Sequence, residues 1–204
     1  ADMPPALPRT ADSDRFRDEL ISSHRGGSSR VDLEHFPEAT QRRVRAHYSA
    51  LIAMIDEQVG EIMAALAKRP DGDDTIVVLA ADHGDFVGDY GFLGKNLFFD
   101  AAMHVPMIVR RPGGPKGQRS RDLVTVTDLF ASFLAVAGVE NVTGKDSYPI
   151  PVLAPAGAPR RRHALGAVGN GVCIQDDRWR LSRYDNGLAT LYDLDLPAAV
   201  QVNL

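Results

Sequence analysis

Apolar residues recur at spacings of three and four between Pro37 and Arg69, as they do along one face of an α-helix. Pro37 suits the first turn of such a helix, and Pro70-Asp71-Gly72 is a sequence that ends one. The pattern predicts a long amphipathic helix over about residues 37–69. Its apolar stripe consists of Val44, Tyr48, Leu51, Ile52, Ile55, Val59, Ile62, Met63 and Leu66.

Two continuous apolar runs after this helix predict strands. Ile76–Leu79 has the length and β-branched content of a strand that is buried on both faces. Val105–Arg110 is the second, with Pro106 at its start or at a sheet edge, because proline cannot donate to the ladder. A helix that leads into a strand is half of a βαβ unit. This favours an α/β fold with a mainly parallel sheet flanked by helices.

The remaining elements predict two further regions. Residues 1–36 should form a surface loop with a short helix around Asp14–Ser22. Thr127 or Asp128 can cap a helix that continues to Val136, and Gly138 stands where a C-cap glycine belongs.

The last part of the chain has the pattern of short strands. Asp185-Asn186-Gly187 lies between two of them and is a strong hairpin signal. The pattern predicts a small antiparallel sheet within residues 146–204, beside an α/β part that comprises residues 1–145. The expected strands are Val172–Ile174, Trp179–Tyr184 and Ala189–Leu194.

Composition and charge exclude several classes of partner. The chain has 204 residues, 44% of them hydrophobic and 25% charged, which is ordinary for a globular protein. A net charge of -4 gives no reason to expect nucleic acid as a partner. No apolar run approaches the roughly 20 residues that span a bilayer. The first residues do not resemble a signal peptide and are expected to be the middle of a longer polypeptide, so the compartment stays open.

Candidate chemistry lies directly after the first strand. Asp82 and His83 follow the apolar run, and both residue types are good metal ligands. Neighbours in a strand point to opposite faces, so the backbone must turn for both to reach one ion, and Gly84 permits that turn. Further glycines precede Lys95. This stretch predicts a metal site at a strand end. The single cysteine, Cys173, is expected to be a buried, apolar-like residue.

The order of these motifs resembles the C-terminal half of the sulfatases, in the alkaline phosphatase superfamily. The resemblance covers most of the chain after about residue 40. It rests on Tyr48, Asp56, Gln58-Val59-Gly60, Ala81-Asp82-His83-Gly84-Asp85, Gly88-Asp89-Tyr90-Gly91, Gly94-Lys95, Val105-Pro106, Val126-Thr127-Asp128-Leu129, Ala137-Gly138, Leu191-Tyr192-Asp193-Leu194 and Val202-Asn203-Leu204. Two positions depart from the family pattern, Tyr90 for a histidine and His104 for an arginine.

The resemblance implies roles for three residues. Asp82 and His83 match two ligands of the family's active-site divalent cation, and Lys95 matches the lysine that binds the sulfate group and stabilises charge on its oxygens. Many arylsulfatases have asparagine at the second position and use calcium. The Asp-His version also occurs among phosphonate and phosphate ester hydrolases, often with manganese. Calcium and manganese both stay open, although imidazole suits a transition metal better.

The family's nucleophile is expected outside this chain. In sulfatases it is a cysteine converted to formylglycine within a Cys-x-Pro-x-Arg or Cys-x-Ala-x-Arg motif. Cys173 is followed by Ile174-Gln175-Asp176-Asp177 and has no such motif. The resemblance therefore implies a partial domain that needs an N-terminal half with the formylglycine, and that is inactive alone.

Three functions remain open on the sequence. The first is a metal-dependent hydrolase of sulfate esters, acting on a small molecule or a glycan. The second is a phosphonate or phosphate ester hydrolase of the same superfamily. The third is a non-catalytic half that only docks with another polypeptide. A half-domain taken alone leaves an uncovered apolar face, so we also expect it to aggregate or to form a homo-oligomer.

Overall fold

A computed structural model describes residues 4–15, 37–139 and 146–196. A short 3-10 helix occupies Asp89–Gly91. The remaining elements, in chain order, are α1 (Ala11–Arg15), α2 (Glu38–Leu66), β1 (Val77–Ala80), α3 (Asp100–Met103), β2 (Met107–Arg110), α4 (Asp128–Val136), β3 (Ala164–Val168), β4 (Gly171–Gln175), β5 (Trp179–Tyr184) and β6 (Ala189–Asp193). No described helix is both long enough and apolar enough to cross a membrane.

The long amphipathic helix is confirmed as α2, with Pro37 as its N-terminal boundary residue. The carbonyl of Pro37 accepts hydrogen bonds from the N–H groups of Thr40 (2.8 Å) and Gln41 (3.0 Å). None of the residues in α2 is buried, and Leu51, Ile55 and Ile62 are each more than half exposed. The apolar stripe of α2 therefore lies open in the described part of the chain.

The first sheet differs from the sequence-based expectation. β1 pairs antiparallel with β2, Val77 opposite Arg110 and Ala80 opposite Met107, so the prediction of a mainly parallel sheet is not confirmed. A parallel pair needs a crossover, usually a helix of three or more turns. The only helix between β1 and β2 with α geometry is the four-residue α3, and the chain instead folds back on itself. Leu79 is 39% exposed, so β1 is not buried on both faces either.

α4 begins and ends near the predicted residues, but its N-terminus is built differently. Thr127 precedes the helix without a capping hydrogen bond from its side chain. The C-terminus follows the prediction. Gly138 has φ of +68°, its N–H donates to Ala135 O at 3.2 Å, and the next N–H, of Val139, donates to Leu134 O at 2.9 Å. This pair of bonds is the Schellman motif that a C-cap glycine permits.

The small antiparallel sheet is confirmed, with the strand order β3-β4-β5-β6. The predicted hairpin joins β5 to β6, with Gly187 at φ of +86° and the Asn186 side chain accepting the Leu188 N–H at 2.9 Å. β3 was not predicted, because its sequence, ALGAV, has only one β-branched residue and no aromatic residue, which are the residue types that mark strands.

One aromatic core joins this sheet to the rest of the described chain. It contains Phe86, Tyr90, Phe92, Leu97, Phe98, Phe99, Ala102, Cys173, Tyr184 and Tyr192. These residues come from both sides of the predicted boundary at residues 145 and 146, and that division into 1–145 and 146–204 stays a prediction. Cys173 is 3% exposed, as expected of an apolar-like residue. Phe86, Tyr90 and Phe92 of this core belong to the segment between β1 and β2 that carries the candidate site.

Helix α1 covers only the beginning of the short helix predicted around Asp14–Ser22. The rest of that prediction, and the motif Val202-Asn203-Leu204, lie outside the described residues.

Candidate functional site

The chain between β1 and β2 leaves the sheet and folds back on itself, so that its first and last parts lie side by side as two arms. Three backbone hydrogen bonds link its two arms: Ala81 N to Pro106 O (3.3 Å), Gly84 N to Ala102 O (2.8 Å) and Phe86 N to Gly94 O (2.9 Å). We call residues 81–106 the fold-back. It places the residues directly after β1 opposite the segment that ends at Lys95.

Gly84 lies where the two arms are in close contact. A Cβ built on this residue would lie 2.0 Å from the carbonyl oxygen of Ala101, at the start of α3. No side chain fits there without moving the backbone. The predicted turn at Gly84 is therefore also a close contact between the two arms.

The ring of His83 is held in one orientation by its neighbour. Its Nδ1 lies 2.9 Å from the carbonyl oxygen of Gly84. A carbonyl oxygen can only accept, so in the neutral ring Nδ1 donates the proton and Nε2 carries the lone pair. Nε2 lies 3.4 Å from Oδ2 of Asp82 and is in direct contact with Nζ of Lys95. The structure thus brings the three predicted site residues together, at the end of β1.

The site lies open to solvent. The side chain of Asp82 is 84% exposed and that of His83 is 39% exposed. The His83 backbone N–H, which donates to Oδ1 at 2.9 Å, is the largest influence that lowers the pKa of Asp82, and the charge of Lys95 acts in the same direction. Asp82 is therefore a carboxylate at neutral pH. An anion and an imidazole lone pair lie side by side, next to an exposed ammonium group.

These two donors suit a divalent cation, but they do not complete its shell. A carboxylate oxygen and a neutral imidazole nitrogen are ligands that transition metals accept, and four or more ligands are usual. Within residues 4–15, 37–139 and 146–196, no third His, Cys, Asp or Glu joins them in a metal-binding group. The described chain can thus supply part of a metal shell, and the remaining ligands must come from water or from other residues.

Asp85 and Arg45 support the site from outside the three-residue cluster. Oδ1 of Asp85 accepts the N–H groups of Val87 (2.9 Å) and Gly94 (3.2 Å). The guanidinium of Arg45, on α2, donates to Oδ1 of Asp89 at 3.1 Å and holds the fold-back against that helix. The Asp-x-x-Gly spacing was a signal for a side-chain turn at Asp85, whereas the bond across 44 residues from Arg45 had no local signal.

The two positions that depart from the family pattern take no part in the described cluster. Tyr90 is 5% exposed, lies in the aromatic core against Phe86 and Phe99, and has φ of +57°. Burial raises its pKa to about 12, so the phenol stays neutral. His104 is exposed at the end of α3.

Comparison with known proteins decides the family. The sulfatase family model matches residues 3–139. The chain belongs to the sulfatase family. Arylsulfatase K of Danio rerio is 29% identical to it over 165 residues, which cover 76% of this chain and 32% of that protein. This chain therefore spans about a third of the length of this curated sulfatase relative.

Solved structures of the alkaline phosphatase superfamily share the fold. A 2-O GAG sulfatase superimposes with a TM-score of 0.80 at 21% identity, over 100% of this chain and 49% of that one. A phosphonate monoester hydrolase from Silicibacter pomeroyi gives a TM-score of 0.76 at 25% identity, over 95% of this chain and 44% of that one. In both comparisons this sulfatase chain corresponds to about half of the solved protein.

Proposed function

We propose that this chain is part of a metal-dependent sulfuric ester hydrolase, in which Asp82 and His83 bind a divalent cation and Lys95 binds the sulfate group. The observation that carries the proposal is the meeting of a carboxylate, an imidazole lone pair and an ammonium group at the end of β1. Membership of the sulfatase family supports it.

Each of the three side chains has a separate task in this proposal. Asp82 supplies the negative charge that attracts the cation, and His83 offers Nε2 because its Nδ1 proton is bound by Gly84 O. The cation, when bound, acts as a Lewis acid towards an ester oxygen. Lys95 places a positive charge where the non-bridging sulfate oxygens develop negative charge, which is the usual form of electrostatic catalysis.

The nucleophile is proposed to be a formylglycine in an N-terminal part of the enzyme, outside this chain. Cys173 is unsuited to the role, since it is 3% exposed in the core and burial raises the pKa of its thiol. The N-terminal part would also supply the missing metal ligands. We propose that the chain is inactive without it.

The metal is proposed to be manganese or calcium, with manganese favoured by the imidazole ligand. Calcium prefers shells made only of oxygen atoms. The substrate is proposed to be the sulfate ester of a small molecule or a glycan. The likeness in fold to a GAG sulfatase is compatible with a glycan.

A second candidate is a phosphonate or phosphate ester hydrolase. The Asp82-His83 pair and the similarity to a phosphonate monoester hydrolase, at 25% identity, favour it. The chemistry would use the same three residues, because phosphonate and sulfate groups both present charged non-bridging oxygens to Lys95.

A third candidate, of another class, is a non-catalytic half that docks with a second polypeptide. It is supported by the exposed apolar stripe of α2, where Ile62 is 65% exposed. In that case the site residues would have no task, and their substitution would leave the function of the assembly unchanged.

One experiment separates the three candidates. The full-length protein that carries this chain is assayed with p-nitrophenyl sulfate and with p-nitrophenyl phenylphosphonate, and its metal content is measured by mass spectrometry. We expect preferential hydrolysis of the sulfate ester, and loss of bound metal in Asp82→Ala. Preference for the phosphonate supports the second candidate. No hydrolysis of either ester, with metal content unchanged in Asp82→Ala, contradicts both enzymes and supports the docking half.

A further inference from the structure

We propose that Asp85 is a positioning residue whose carboxylate, through the N–H of Gly94, holds Lys95 at the candidate site beside His83. The inference rests on the proposed function, because it concerns the geometry of that same site. Asp85 would act through the backbone and would touch neither metal nor substrate.

One oxygen of Asp85 joins the two ends of a loop. Oδ1 accepts the N–H of Val87 at 2.9 Å and the N–H of Gly94 at 3.2 Å. Gly94 is bonded directly to Lys95, and His83 lies two residues before Asp85. The bond to Gly94 therefore helps to fix where Lys95 lies relative to His83.

A second bond completes the closure. The N–H of Phe86 donates to the carbonyl of Gly94 at 2.9 Å, so both polar groups of the Gly94 backbone bond to the segment that follows His83. We call these two bonds to Gly94 the clasp. Loss of Asp85 would leave only one of them.

The loop that the clasp closes holds backbone strain. Val87 has φ of +41°, a region that β-branched residues avoid. Such a conformation is unfavourable and persists only where its surroundings hold it. The bond from Val87 N–H to Asp85 is one restraint on this residue. Without it, relaxation of Val87 would move the segment that leads to Gly94 and Lys95.

The clasp needs an acceptor and not a charge. Backbone N–H groups bond to an amide oxygen as well as to a carboxylate oxygen. Asp85→Asn should therefore keep the geometry, while Asp85→Ala should lose it. If Asp85 were itself a metal ligand, the loss of its charge in Asp85→Asn would weaken metal binding.

The chain offers a matched control. Oδ1 of Asp176, in the turn between β4 and β5, also accepts two backbone N–H groups, those of Arg178 at 2.8 Å and Trp179 at 2.6 Å. Asp176→Ala removes the same kind of support from a turn that carries no site residue. A purely structural contribution would be similar in the two alanine variants.

The test uses the full-length protein and two measurements. The first is the rate at which acetic anhydride acetylates Lys95, followed by mass spectrometry, with Lys68 and Lys116 as internal references. We expect Asp85→Ala to raise the Lys95 rate at least about threefold, because its amine is no longer held in place at the site. Asp85→Asn and Asp176→Ala should leave that rate unchanged. Equal rates in Asp85→Ala and the unsubstituted protein would overturn the proposal.

The second measurement is the affinity for inorganic sulfate, by calorimetry. We expect Asp85→Ala to weaken binding about tenfold, as for loss of a charge-assisted bond, and to have no further effect in a Lys95→Ala background. Additive losses would overturn the inference. If Lys95→Ala itself binds sulfate normally, the proposed function fails at Lys95, and the acetylation rates still decide whether Asp85 holds the lysine in place.

Discussion

Gly84 shows how a single residue determines the shape of the site. We expect Gly84→Ala to destabilise the full-length protein by more than about 2 kcal/mol, because its Cβ would meet the Ala101 carbonyl at 2.0 Å. The displaced backbone should also move the imidazole of His83 away from the carboxylate of Asp82 and reduce the amount of bound metal. Thermal unfolding and metal analysis measure the two effects.

Gly60 is the matched control for this substitution. It lies within α2, and a Cβ there would have no atom within 4 Å. Gly60→Ala should raise stability by about 0.5–1 kcal/mol, since alanine has the higher helix propensity. If the two variants unfold at the same temperature, the close approach at Gly84 is not what requires a glycine.

At the residue scale, the sequence indicated the residues of the candidate site. It did not indicate the long-range contacts that support them. The position after an apolar run indicates Asp82 and His83, the family resemblance adds Lys95, and the structure brings the three together. Arg45 was missed as a support because its partner is 44 residues away along the chain. No pattern in the sequence near either residue indicates that bond.

Asp128 ties α4 to the segment before β3, and its titration gives a test. Burial would raise the pKa of Asp128, but two hydrogen bonds from Arg161, at 2.7 and 2.9 Å, and two from backbone N–H groups together lower it. A pKa that is lower in the folded state stabilises the fold above the unfolded value of about 3.9, and the stabilisation is lost as pH falls through the folded value.

We therefore expect the contribution of Asp128 to disappear in acid. Asp128→Asn should be less stable than the unsubstituted protein at pH 7, because Arg161 would lack its charged partner. The difference in melting temperature should shrink as the pH falls below about 3.9, because the unfolded state then binds a proton that the folded Asp128 resists. A difference that stays constant from pH 7 to pH 3 would contradict the assignment.

Arg180 links the small sheet to the fold-back at the scale of elements. From β5 it donates to Oδ1 of Asp100 at 2.5 Å and to Phe98 O at 3.2 Å, and it is 3% exposed. Arg180→Met should destabilise the protein by about 3 kcal/mol, because the buried carbonyl of Phe98 and the partly buried carboxylate of Asp100 lose their donor. Chemical denaturation measures the change.

Arg178, an exposed arginine directly before β5, is the control for Arg180→Met. Arg178 pairs with Asp193 at 3.1 Å, and its side chain is 54% exposed. Arg178→Met should cost less than about 1 kcal/mol, as surface ion pairs do. Similar losses in the two methionine variants would show that Arg180 is not a buried link.

Elements with local signals were predicted, whereas strand direction was not. The α2 stripe, the Gly138 C-cap and the turn at Asp185-Asn186-Gly187 depend on neighbouring residues, and each was predicted correctly. The pairing of β1 with β2 depends on whether the intervening chain forms a crossover helix. Asn96–Met103 gave no clear helical period, and only α3 formed within it.

At the scale of the whole molecule, apolar surface without a cover is the main feature. Residues of the α2 stripe, among them Leu51 at 55% and Ile62 at 65%, are exposed, and so is Ile108 of β2 at 61%. Contiguous apolar surface of this kind marks interfaces in stable proteins. We expect the 204-residue chain alone to self-associate, as measured by sedimentation velocity.

Charge substitutions test whether α2 is responsible. Ile55→Glu places a charge on the stripe, where Ile55 is 56% exposed, and should reduce self-association. Ala64→Glu adds the same charge to the opposite side of α2 and should not. A chain that sediments as a stable monomer without substitution would count against the half-domain interpretation.

The fold-back has a consequence for fragment complementation. Asp82, His83 and Lys95 come from one continuous stretch of chain. The hydrogen bonds that close this stretch join residues that are near in sequence, so little conformational entropy is lost when the loop closes. A break in the polypeptide outside residues 77–110 leaves this stretch whole. We therefore expect that two separately produced polypeptides can reconstitute the enzyme when the cut avoids that interval, and that a cut between Asp85 and Gly94 abolishes reconstitution.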